Sequence, residues 1–506
     1  MKILYNLDFS QKDQKYVHLE LNIELEKYDK KELILLMPVW SPGSYLIREY
    51  SRHLDQFVVY NKLGDQIKYE KISKNKWKID LAEQKNITIR YRLYCNELTV
   101  RNNFVDDIHA LLVAPATFLI PENKDACKYF EVQVNLPDGW NKISTGLNKV
   151  EGKENHFYCE DLDDFLDCPI EVGNYQTYSF EALGKPHYVA MIGAKVYQEE
   201  KLIGDIKKVV EATAKIFDSQ APYDHYTFIT HLTSASTGGI EHKNSCVLHF
   251  NRWHFSDPVK YKKDWLSLVS HEYFHLWNVK RIKPLGISNF DYSNENYTSL
   301  LWFSEGFTSY FDDLILKRAG IYNDTEYLDV LSNLIERLLT VPGRFYQNLE
   351  ESSFDSWIKF YRKHENSTNQ GISYYIKGSH FALVLDLEIR KRTNHQKSLD
   401  DLMRLLWNDY LLDNSIGFTR EILLNYAEKL AGNFSEIFNE FIEGKNEIDY
   451  DKYLAYAGLK LKIIDFNNLT LDIDFKEENG LLICTNIKDQ GAGYNAGIMS
   501  GDELIA

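Results

Sequence analysis

Asp264-Trp265-Leu266-Ser267-Leu268-Val269-Ser270-His271-Glu272-Tyr273-Phe274-His275 is the stretch that decides the fold of this 506-residue chain. Apolar residues at helix-like spacing lead into a His-Glu-x-x-His string. Four helical steps turn the chain through about 400°, so His271 and His275 lie on one face, one turn apart. Two imidazoles so spaced suit one tetrahedral zinc ion. Glu272, beside the first of them, is the candidate general base toward a water at that ion. With 15 His in the chain, chance yields only about 0.03 such strings.

Two histidines need a third ligand. Glu305 is the candidate, in Leu301-Trp302-Phe303-Ser304-Glu305-Gly306-Phe307-Thr308-Ser309-Tyr310. It is one carboxylate among bulky apolar neighbours, and a cation partner removes the cost of burying it. His231, His249, His254, His364 and His380 lack ligand spacing and read as packing or surface residues.

Outward from this centre the pattern changes twice. Toward the N-terminus, Val17–Leu25, Ile87–Leu93 and Phe130–Leu136 alternate between apolar and polar residues. A period of two gives a core face and a water face, and several such strands predict a sandwich or saddle-like sheet over residues 1–178. A mixed segment follows, then helical signals from about 264 to 443, so residues 179–445 are expected to form one catalytic domain. Ser398 before Asp400 and Asp401 reads as a helix start, and Thr419 to Gly432 brackets another helix. Short strands and turns return over 456–506.

Composition bounds the function. Apolar residues make up 44% of the chain, with 34 Tyr and 27 Phe, which supplies a large core and excludes wholesale disorder. Lys+Arg number 58 against 74 Asp+Glu, a net charge of −16. An acidic chain with no basic block predicts neither a nucleic-acid nor an anionic-membrane binder. No apolar run approaches 18 residues and no leader pattern is visible. The six cysteines are far apart and form no Cys-x-x-Cys, as expected of free thiols in a reducing compartment. These features predict a cytoplasmic protein and say nothing of its oligomeric state.

The His-Glu-x-x-His string with its Glu305 helix resembles the thermolysin-like zinc aminopeptidases. The longer likeness is to the glycyl aminopeptidase family, carried by Trp40-Ser41-Pro42-Gly43-Ser44-Tyr45 with Arg48, Asp167-Cys168-Pro169 with Glu171 and Gly173, Gly238-Gly239-Ile240-Glu241-His242, the two zinc-site stretches, and Tyr374-Tyr375-Ile376-Lys377-Gly378. That resemblance implies a multidomain α+β chain: an N-terminal β domain, a thermolysin-like catalytic domain, and a C-terminal PDZ domain. It implies one zinc ion per chain and peptide substrates with a free N-terminus. It also implies release of small first residues, Gly or Ala.

Roles follow by position. Glu241 is implied to hold the substrate's α-amine, which would place the first peptide carbonyl at the metal. Gly239 lets that loop's backbone come close. Glu171 is implied as a second amine contact. Tyr375 is implied to stabilise the oxyanion, with Tyr374 as its rival. The chain departs from the wider group in two places. The loop between His275 and Glu305 is longer, and Ser309 stands where an Asp would orient a zinc histidine, leaving Asp312 and Asp313 as candidates for that task. Gly458-Leu459-Lys460-Leu461, Leu482-Ile483-Cys484 and Gly493–Ile505 resemble a PDZ domain cut short at Ala506, expected to be unable to bind peptide normally. The rival functions are a zinc endopeptidase or small-molecule hydrolase of the same fold, and a non-catalytic scaffold.

Overall fold

Alternation in the first third becomes a seven-stranded sheet. Tyr16–Glu24 pairs antiparallel with Lys2–Asp8 on one side and Asn86–Tyr94 on the other. Leu54–Asn61 extends it beyond Asn86–Tyr94, and Phe130–Asn135 runs parallel to Lys2–Asp8. Ile3, Tyr5, Leu7, Leu19, Leu21, Ile89 and Leu93 are buried. Each contributes roughly 1.5–3 kcal/mol relative to exposure. A four-stranded sheet (Glu32–Leu36 at its centre) and a five-stranded sheet (Lys142–Thr145, Ile170–Gly173, His109–Leu112, Asn102–Val105, Asn96–Thr99) complete this β domain.

This computed structural model describes residues 1–26, 28–415, 417–464 and 470–505. They divide into two compact units: Met1–Ala214 with Ser219–Leu276 and Phe290–Asn296, and Lys215–Asp218 with Trp277–Asn289 and Tyr297–Ala506. The stretch expected as one catalytic domain, 179–445, is therefore shared between them.

The first unit also holds a second five-stranded sheet, in the order Gln176–Ala182, Lys185–Ile192, Tyr226–Thr233, Ser245–Asn251, Gly238–Glu241. Its three inner strands are parallel and its two edges antiparallel. Tyr226–Thr233 is covered on both faces. Tyr226 and Phe228 meet Tyr273 of the helix Ser267–Phe274, at 5.0 and 5.9 Å between ring centres. Ile229 joins the core of the β domain, and Thr227 donates its hydroxyl to Thr145 O. The sheet thus carries the His-Glu-x-x-His helix on one face and the β domain on the other.

The second unit is mainly helical: Thr308–Arg318, Asp324–Leu339, Tyr374–Arg392, Leu399–Leu412 and Arg420–Ala431 are its longest elements. Ser398 stands at the expected helix start, its amide bonded to Asp401. Thr419 is the next N-cap, and Gly432 (φ +83°) ends that helix. Over the C-terminal stretch, Ile473–Glu478, Leu481–Ile487 and Glu503–Leu504 form a three-stranded antiparallel sheet. Asn369 ties it to the helical part through Ile487 O and the amide of Asp489. Residues 465–469 and 506 of the expected PDZ stretch lie outside the described residues. The six cysteines are free thiols. Among the described residues no helix is long and apolar enough to cross a membrane.

Candidate active site and metal centre

His271 and Glu272 lie on the helix Ser267–Phe274, and His275 caps its end. Tyr261–Leu266, just before it, is a π-helical turn, an element of i→i+5 hydrogen bonds often found at functional sites. The two Nε2 atoms face each other at 3.1 Å, with the rings nearly perpendicular at 84°. Two nitrogens bound to one tetrahedral zinc at their usual bond lengths stand about 3.3 Å apart. The pair fits such an ion.

The edge strand Gly238–Glu241 passes over this helix. A Cβ at Gly239 would overlap Glu272 Oε1, so only glycine lets the strand run so close to the candidate base. Ligand atoms of Glu241, Glu272 and His275 all lie within 4.8 Å of one another, and all three residues are buried. Burial and the charge of Glu272 push the thiol of neighbouring Cys246 well up, so it stays protonated. Glu241 meets a residue from the far end of the sequence. A Cβ at Gly43 (φ +88°) would stand 2.6 Å from both carboxylate oxygens. The Trp40–Tyr45 stretch is therefore a wall of the site, which local periodicity gave no way to foresee.

In the second unit Glu305 is buried on a further π-helical turn, Trp302–Phe307. Asn278 pins that turn, donating toward Phe303 O, Ser304 O and Thr308 Oγ1 at 3.2–3.3 Å. Gly306 lies backbone to backbone on Gly378, since a Cβ there would be 2.5 Å from Gly378 Cα. The Glu305 turn and the helix Tyr374–Arg392 are thereby fixed together. On that helix Tyr374 is fully buried, whereas Tyr375 is partly exposed and stacks on Phe360. Asp313 accepts from the Tyr322 hydroxyl at 3.1 Å. Lys377, in the same motif, is buried, and burial with Lys445 nearby lowers its pKa to about 8.

Glu171 lies in a separate cluster of buried polar side chains. The short strand Ile170–Gly173 turns it inward, 0% exposed, on the sheet face away from the His271–His275 helix. Oε1 is 2.8 Å from His109 Nδ1 and Oε2 is 2.9 Å from His231 Nε2. Both carboxylate oxygens are thus engaged by imidazoles. Burial pushes the Glu171 carboxyl up, but the two histidines outweigh it and hold the pKa below its usual value. Burial opposes protonation of His109, and the Glu171 charge overcomes it. His249 packs edge-on to His231 at 4.9 Å. Burial, then the charges of His231, Arg101 and His109, lower its pKa to about 2. Two histidines read from sequence as mere packing thus belong to a buried polar cluster, and His109 went unnoticed.

Several solved structures share this architecture. An aminopeptidase N family protein from Idiomarina loihiensis is 29% identical, with a TM-score of 0.92 over 100% of this chain and 89% of that one. An M1 zinc metallopeptidase from Deinococcus radiodurans shares the fold at 12% identity, with a TM-score of 0.54 over 88% of this chain and 94% of that one. A mutant of that enzyme was solved with a Tyr-Ser-Ala substrate bound. No curated protein matches the chain. The described fold is thus that of the aminopeptidases. The family model for M61 glycyl aminopeptidase matches residues 264–381, and that for the peptidase M61 N-terminal domain matches residues 4–174, together more than half of the chain. The chain belongs to the M61 peptidase family and is a peptidase hydrolase.

Proposed function

We propose that this chain is a zinc-dependent aminopeptidase that removes small N-terminal residues, Gly and Ala foremost. The observation that carries the reading is the 3.1 Å approach of two histidine nitrogens on the helix that presents Glu272, directly beneath the strand bearing Glu241. His271 and His275 are two of the ligands, and Glu305 is proposed as the third. Its support is the family likeness and a buried carboxylate on a π-turn held by Asn278. When bound, the ion supplies Lewis-acid polarisation of the scissile carbonyl and lowers the pKa of a nearby water.

The protein's own residues do the rest. Glu241 pairs with the substrate ammonium and so fixes which peptide bond reaches the metal centre. Glu272 takes a proton from the attacking water and returns it to the leaving amine. Tyr375 donates its phenol hydrogen to the developing oxyanion, and its partial exposure favours it over fully buried Tyr374. Gly239 keeps the strand close enough to Glu272 for the substrate backbone to lie along the edge. The narrow space at Glu241, walled by Gly43, supports a preference for small first residues.

Gly- and Ala-anilides should be cleaved, chelator should abolish turnover, and zinc should restore it. N-acetylated Gly-anilide should be inert. Cleavage of the blocked substrate at a comparable rate would remove the exopeptidase reading.

A further inference from the structure

The Asp167-Cys168-Pro169-Ile170-Glu171 stretch stood out in the sequence, yet none of it reaches the metal centre. Its partners show what it holds. Just past Glu241, His242 Nδ1 lies 3.1 Å from Asp167 Oδ1, and the Lys243 amide donates to Asp167 Oδ2 at 2.6 Å. Lys243 also reaches Asp164 with its ammonium. At the other end of the strand, Gly238 is registered opposite His249. His249 rests on His231, and His231 is bonded to Glu171. Four steps separate Asp167 from Glu171, and four separate Gly238 from His242.

We propose that the Asp167–Glu171 segment of the N-terminal β domain is a bracket that grips both ends of the Gly238–Glu241 strand and so positions Glu241, with Gly43 as the stop behind its carboxylate. The inference rests on the reading of Glu241 as the amine anchor. The strand needs such support. It is a sheet edge, paired on one side only among the described residues, and it opens with two glycines. Edges rich in glycine are the least ordered parts of a sheet. Orienting a scissile bond, by contrast, tolerates little displacement, and an error near 1 Å costs about a hundredfold. Gly43 is itself firmly seated. Trp40 Nε1 donates to Asp291 O at 2.7 Å, and the Val39 amide donates to Tyr292 O. Asp167, Glu171 and Gly43 are thus positioning residues, acting through Glu241.

The rival for the Glu171 end is a buried cation site. Ligand atoms of His109, Glu171 and His231 lie within 4.8 Å of one another, and His231 Nδ1 and His249 Nε2 have no hydrogen-bond partner among the described residues. Yet each Glu171 oxygen already meets one ring nitrogen at hydrogen-bond length. That arrangement satisfies the carboxylate without an ion.

The test uses the full chain and double-mutant cycles. Asp167→Asn and Gly43→Ala, each alone and combined with Glu241→Gln, are assayed for kcat and KM on Gly- and Ala-anilide. Each single variant should raise KM about tenfold or more. Neither should add to the loss already caused by Glu241→Gln, because both act through that carboxylate. Losses that multiply in the Glu241→Gln background, or an unchanged KM, overturn the bracket. Should Asp167→Asn fail to fold, His242→Gln, which removes the partner of Asp167 at the strand's end, takes its place in the cycle. If Glu241→Gln itself leaves KM unchanged, the amine-anchor reading falls; if it is defective while the bracket variants are silent, only the bracket falls. Metal analysis of Glu171→Gln should match the parent protein. Loss of one metal equivalent would make the cluster a cation site and overturn its bracket role.

Discussion

Two histidine–carboxylate groups flank the same five-stranded sheet, built from the same residue types and used in opposite ways. On the helix side, the Nε2 atoms of His271 and His275 approach each other to 3.1 Å. On the other side, His109 and His231 each aim a nitrogen at Glu171. The first arrangement has the nitrogen spacing of a metal-ligand pair; in the second each ring nitrogen is hydrogen-bonded to the carboxylate. The difference lies in spacing. Residues four apart on a helix converge on space outside the helix, whereas residues on facing strands converge on each other. Composition alone would have assigned both groups the same chemistry.

The largest test of that contrast is removal of a ligand. His271→Ala should lose its metal and fall to background turnover, while His231→Ala should keep full metal content by elemental analysis. Metal loss in both variants would erase the distinction. Next, Glu272→Gln should retain metal and lose about a thousandfold in kcat, the scale of general-base catalysis. A loss below tenfold would give the base role to another group.

Glu171→Ala leaves two buried rings without their hydrogen-bond partner. It should cost about 3–5 kcal/mol of stability, the usual effect of breaking a buried pair from one side. A melting temperature within a degree of the parent would show that the pair is not a stabilising element.

The smallest effect is in pH dependence. His249, with a folded pKa of about 2, and His380, with one of about 3, are buried neutral. Above their unfolded value near 6.5 they contribute nothing. Below it the unfolded chain binds protons that the folded chain refuses. Stability then falls by about 1.4 kcal/mol per pH unit for each such group. His109, raised by Glu171, has the opposite sign: its contribution is present below about 6.5 and is lost as pH rises through its folded value. The melting temperature should therefore drop between pH 7 and pH 5, and His249→Gln should flatten part of that drop. An identical slope in parent and variant would mean that His249 is not held neutral.

Much of the fold could be read locally. The strands Tyr16–Glu24, Asn86–Tyr94 and Phe130–Asn135 fall within a residue or two of the alternating stretches, and the helices beginning after Ser398 and Thr419 start at their caps. The candidate metal pair was legible for the same reason. His271 and His275 are placed by helical pitch, a property of four consecutive residues. The histidine partners of Glu171 were not legible, because a strand shows which residues alternate but not what its inner face will meet. The π-turn under Glu305 was invisible, since its pinning contacts come from Asn278, twenty-seven residues earlier.

The sequence by itself settled the elements, their amphipathic faces and the convergence of two histidines, because covalent geometry fixes periods of 2 and 3.6 within a few residues. Tertiary structure alone decided that Gly43 backs Glu241, that Asp167 holds the turn after it, and that Glu171 closes on His109 and His231. Those partners lie about 60 to 200 residues apart. Sheet register and burial bring them together, and neither leaves a periodic trace in the chain.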